Sequence, residues 1–192
     1  MKKLVCLLLT VTLVLSVGGC SKKKDDTSSD NEKQQTSLSS QEETSIEEYA
    51  VLVSDCVEEI ENASVLLSNM ANYEYEYWSA LDNIDGNFDT KKAVQKARDW
   101  LSEKADVEEN KIETDYKIIV GKYSDVVEVN ISDENAKLLN DNLTKLYDEY
   151  CLLYNLTISP GDNLSIFTTN YNSYVDNITN YLNTINTSID NE

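Results

Sequence analysis

Four cysteines, no histidine and 35 carboxylates bound the chemistry open to this 192-residue chain. Without histidine, the commonest general base and the commonest metal-binding side chain are both missing. Serine triads and the usual zinc sites are thereby excluded, and neither Cys56 nor Cys151 has an imidazole to draw off its proton. Asp82, Asp85, Asn87 and Asp89 crowd around Gly86 as in a Ca²⁺ loop, but the spacing fails. With Gly86 as the sixth loop position, the first is Leu81 and the twelfth Lys92, and neither can ligate. Adjacent pairs such as Glu58/Glu59 and Glu108/Glu109 do not face each other on a helix, and the Glu-x-x-His motif of a di-metal bundle does not occur. The expectation is a non-enzyme with no catalytic residue, no metal ligand and no cofactor.

Cys20 is the one residue whose surroundings point to a covalent event. Lys2 and Lys3 precede an apolar run from Leu4 to Val17, too short for a spanning helix of about 20 residues, and small residues follow at once. The stretch Leu15-Ser16-Val17-Gly18-Gly19-Cys20 resembles the lipobox of bacterial lipoproteins. The resemblance covers residues 1–20 and implies a signal peptide over residues 1–19, cleaved before Cys20, with a diacylglyceryl group on the Cys20 sulfur. It further implies acylation of the new amine and a place on the extracytoplasmic face of the cell membrane. Two or three chains give a stable anchor where one gives only marginal binding.

Residues 20–43 form the expected tether. Between Ser21 and Glu43 the only apolar side chain is Leu38, so ordering the segment gains too little burial to offset its entropy. A flexible chain of that length averages roughly 27 Å end to end. Lys22, Lys23 and Lys24 stand beside the lipid, where each adds on the order of 1 kcal/mol of attraction to anionic headgroups.

Removing Lys2 and Lys3 leaves 14 basic residues against 35 acidic ones, a formal charge of −21. Such a surface repels nucleic acid and keeps the domain soluble. The 20 asparagines and 12 tyrosines, with the Lys-rich tether, suggest an AT-rich genome and a Gram-positive host.

Residues 44–192 must supply the fold. Ile46, Tyr49, Val53, Cys56, Ile60, Ala63, Leu67 and Met70, then Tyr77, Leu81 and Ile84, alternate by three and four, interrupted only by Glu74. This is a long amphipathic helix, started by the capping box Ser45-x-x-Glu48, with Ser40-x-x-Glu43 a rival start five residues earlier. A second stripe runs from Val94 to Val126 and slips register near Glu103 to Asn110; its Lys117–Val129 end, rich in β-branched residues, also carries a strand signal. Ser132 is the expected cap of a third helix (Leu139, Leu143, Leu146, Tyr150, Leu153). Ser159-Pro160 is the expected start of a fourth (Phe167, Tyr171, Tyr174, Ile178, Leu182, Ile185). The architecture is all-α: an elongated antiparallel four-helix bundle, five helices if the second breaks, on a disordered tether.

Two functional expectations follow. If the first hairpin overshoots the shorter third helix, Tyr75, Trp78 and Trp100 form an exposed aromatic tip for an envelope or extracellular protein partner. If instead helix two breaks near Glu103, residues 89–102 fold back as a lid over both tryptophans. The alternative function is a small-ligand or cation site in the bundle core, motivated by Glu74 on the seam. Cys56 and Cys151, on diagonal helices at different heights, are expected to stay unbridged.

Overall fold

The computed structural model describes residues 44–82, 89–108, 110–161 and 163–190. The lipobox, Cys20, residues 20–43 and the Asp85-Gly86-Asn87 stretch lie outside them. Five helices follow in order: α1 (Ile46–Asp82), α2 (Thr90–Ala105), α3 (Lys111–Val127), α4 (Glu134–Ile158) and α5 (Leu164–Ile189). No strand occurs among the described residues, and residues 117–127 are helical.

α1 starts where its capping box requires. The Glu48 amide donates to Ser45 Oγ at 3.2 Å, and the Ser45 amide donates to Glu48 Oε2 at 3.3 Å. Its seam is the core of the domain: Tyr49, Val53, Cys56, Ile60, Ala63, Leu67 and Met70 are all buried. Packing of this face, more than propensity, stabilises a helix of 37 residues that meets every other helix of the domain.

The second stripe breaks. Asp106 takes a left-handed conformation (φ 53°) that short polar residues tolerate better than most, and the Val107 amide closes the turn on the Leu101 carbonyl at 3.3 Å. Arg98 and Glu113 then meet as a two-pronged ion pair, with Nη1–Oε2 3.2 Å and Nη2–Oε1 2.5 Å. In one straight helix those residues would stand about 22 Å apart. The polar stretch around Glu103 to Asn110 is therefore a sharp corner, giving the five-helix form of the bundle.

Two helix starts differ from expectation. α4 is capped by Asp133, not Ser132, because Asp133 Oδ1 accepts from both the Asn135 and Ala136 amides at 2.8 and 3.0 Å. α5 begins at Leu164, not at Pro160. Gly161 adopts φ +79°, which diverts the chain from a helical path, and Asn163 Oδ1 caps the Ile166 amide at 3.0 Å.

α1 packs against each of the other four helices, and α4 and α5 form a close hairpin. α3 and α4 approach little through their backbones and meet through rings: Tyr123 stacks on Tyr147 at 3.9 Å, and Tyr116 on Tyr154 at 4.2 Å. The cross-section is thus a rhombus with α1 and α4 on its short diagonal, in contact rather than apart. The Tyr49 hydroxyl donates to Asn140 Oδ1 at 2.9 Å and sets their register. That places Cys151 only about 6 Å further along the axis than Cys56, closer than helix lengths suggest. Both remain thiols.

Candidate functional site

Three places in the domain hold groups that could meet a partner. The first is a polar corner inside the core. Glu74 is completely buried on the α1 seam, and neither carboxylate oxygen has a hydrogen-bond partner among the described residues. Burial pushes its carboxyl up to about 9, against the opposing pull of the Arg98 guanidinium. Arg98 gives its hydrogen bonds to Glu113 instead, which holds the Glu113 carboxyl below its ordinary range and lifts Arg98 above its own. Burial also raises the Tyr154 phenol, which lies in the same electrostatic neighbourhood. Glu74 is accordingly neutral at pH 7.

The second place comprises the expected tip residues, which the structure does not assemble into one exposed patch. Tyr75 is 43 % exposed, but Trp78 is 4 % exposed and packs against Phe167 with ring centroids 6.0 Å apart. Trp100 is half-buried and stacks on Tyr73 at 5.4 Å. α2 lies back along α1, burying Ala93, Ala97 and Leu101, so Trp100 is drawn in with it. Trp78 is covered by the start of α5, a contact no local pattern in α1 announces.

The third place is the outer side of α1 and its flank along α5. Val65, 59 % exposed, and Asn69 crest α1 between two grooves. One, about 490 Å³, lies against the α2–α3 corner and is lined by Ala63, Leu66, Val107, Lys111 and Asp115 among others. The other, about 340 Å³, lies against α5, with Leu153, Val175, Ile178 and Leu182 apolar, Ser64, Thr179, Asn183 and Asn186 polar, and Glu61 the one charged residue in its lining. Ser64 is buried, and its hydroxyl has no hydrogen-bond partner among the described residues.

α5 is unlike the other helices. Of its 26 residues, 14 are Asn, Thr or Ser, and Asp176 is its only charge. Its exposed face shows residues such as Thr169, Asn172, Asn180 and Thr187, while the exposed face of α1 carries Glu47, Glu48, Asp55, Glu58 and Glu61. Asn, Thr and Ser are poor interior helix residues because they offer the backbone competing hydrogen bonds. Here Thr168, Thr169, Thr179, Thr184 and Thr187 each donate to the carbonyl four residues back. The signal was present in the sequence, since no Lys or Arg follows Lys145.

No known protein family, curated protein or solved structure matches this chain. Among the described residues, no three Cys, Asp or Glu side chains converge so as to hold a metal ion, and no helix is long and apolar enough to cross a membrane. Burial pushes the Cys56 thiol up to about 11, so it is protonated and unreactive at neutral pH.

Proposed function

We propose that this chain is a lipid-anchored lipoprotein on the extracytoplasmic face of the cell membrane, whose helical domain binds an envelope or extracellular protein and catalyses nothing. The address rests on the resemblance of Leu15–Cys20 to a lipobox. The binding role rests on one observation above others: an otherwise acidic domain carries one helix face almost free of charge, beside a groove with an apolar floor. Protein interfaces are depleted of charge at their centre, and a merely solvated helix face is served better by Glu and Lys, which are also better helix formers.

The test is site-specific photocrosslinking of the full chain in its own membrane. A crosslinker at Asn183 on α5 is expected to trap one discrete polypeptide, while one at Asp141, on the exposed face of α4, is not. Equal labelling from both positions, or none from either, would refute the reading.

A second reading, a cation or small ligand held in the bundle core, is supported by Glu74 alone. None of the four cavities described above or at the helix corners is lined by it. A ligand at Glu74 would have to enter by displacing α2, and a protonation-dependent gain in thermal stability with added amine or Ca²⁺ would favour it.

A further inference from the structure

The charges around the α1–α5 groove identify the chemistry of the side chain that fills it. We infer that the partner presents a Lys or Arg to this groove, its aliphatic stem lying on the floor of Leu153, Val175, Ile178 and Leu182 and its cationic head meeting the Glu61 carboxylate. This inference rests on the binding role proposed above and narrows it.

Positive charge is segregated in this domain. Of the ten Lys and Arg in residues 44–192, five lie on α2, three on α3 and two on α4, and none lies on α1 or α5. α1 alone carries nine Asp and Glu. Where α1 faces α3 a carboxylate finds its counter-charge, since Lys122 reaches Glu59 at 3.0 Å. Glu61, two residues further on and exposed, lines the groove against α5, and no Lys or Arg pairs with it among the described residues. The only charge on α5, Asp176, has the same sign and stands seven residues before Asn183, on the same helix face. The groove therefore sits in a negative field with no counter-charge of its own, which draws in a cation and repels an acidic protein, an anionic lipid surface or a nucleic acid.

The lining fits a long basic side chain in particular. Lys and Arg bury their methylenes along apolar surface while the charged head stays at a polar edge. Here the apolar floor and the single carboxylate belong to one cleft of about 340 Å³, and the side-chain oxygens of Ser68, Asn69, Asn183 and Asn186 supply acceptors for the remaining N–H groups of the head. A purely apolar anchor would cover Glu61 and give its charge nothing in return, and an acidic anchor would meet only like charge. Arg combines stem and head in this way and is enriched at binding hot spots.

The experiment uses the full chain in its own membrane, with the crosslinker at Asn183, which lines the same groove. Peptide mapping of the trapped polypeptide is expected to place the crosslink beside a Lys or Arg. Raising NaCl from about 0.05 to about 0.5 M should lower the yield, because attraction between opposite charges at an exposed rim is screened. Glu61→Gln should cut the yield about fivefold, the upper range for an exposed pair, and Glu61→Lys should abolish it. Glu61 is exposed, so thermal unfolding should barely change in either variant. Glu47→Gln removes an exposed carboxylate about 21 Å away along α1, beyond the screening length, and should leave the yield nearly unchanged. A crosslink that survives both Glu61→Lys and high salt would overturn the cationic anchor and leave the binding role standing. Equal loss with Glu47→Gln would mean attraction to the acidic surface at large and would overturn the anchor as well, as would a crosslink back to Lys22, Lys23 or Lys24 of the same chain. No crosslink from Asn183 at all would overturn both.

Discussion

Glu74→Gln tests the physical account of the core through its dependence on pH. The Glu74 carboxyl titrates near 9 in the folded domain, against an ordinary value of 4.5. Between those values the folded state holds a proton that the unfolded chain has released, so stability is full below about pH 4.5 and falls as pH rises through the window. At about 1.4 kcal/mol per pH unit, the loss between pH 4.5 and 7 is about 3 kcal/mol. For a domain of this size that corresponds to about 6–12 °C in Tm. Glutamine has the same shape and cannot ionise. The variant should match the wild type near pH 4.5 and exceed it by about 3 kcal/mol at pH 7, read by urea or thermal unfolding followed by circular dichroism. All other titrating groups are shared, so the difference between the curves isolates one residue. Parallel curves from pH 4.5 to 8 would refute the reasoning and show that Glu74 finds water or a partner.

Other outcomes follow from the same packing. Trp78→Ala should cost about 3–5 kcal/mol, because it empties a buried aromatic site against Phe167; a loss under about 1 kcal/mol in chemical denaturation would place Trp78 at the surface after all. Arg98→Met should cost only about 1 kcal/mol through the half-exposed pair with Glu113. It should also extend the decline of stability with pH beyond 9, since the charge that favours ionised Glu74 is gone. Ser45→Ala should lose about 1 kcal/mol by breaking the capping box of α1. If the proposed anchor holds, Cys20→Ser should release the chain from membranes into the salt wash, since acyl chains would supply the anchoring free energy.

What could be read in advance followed the range of the interaction. The α1 seam is local, so spacing alone placed Tyr49, Cys56, Ile60 and Met70 in the core, while two capping boxes offered a start and the structure shows the one at Ser45. The slip near Glu103 marked the α2–α3 corner, but only the left-handed Asp106 and the Arg98–Glu113 pair show that the chain turns sharply there. Neighbouring caps such as Ser132 and Asp133 differ by one residue of backbone geometry, which composition does not resolve. Pro160 carries the ordinary signal of a helix start, overridden by the left-handed Gly161 beside it. The burial of Trp78 depends on Phe167, 89 positions away in the chain, and no pattern within α1 encodes it. Glu74 stood out as a flaw in the stripe, and the structure turns that flaw into a neutral buried acid. The charge-poor face of α5 was legible as a run without Lys or Arg, with Asp176 its one charge.

Intact mass spectrometry of the chain extracted from its own membrane tests whether the domain is held there through Cys20, as proposed. The expected species runs from Cys20 to Glu192, with diacylglyceryl on the cysteine sulfur and room for one further acyl group on the amine. A chain that begins elsewhere, or that begins at Cys20 with an unmodified thiol, would contradict the claim.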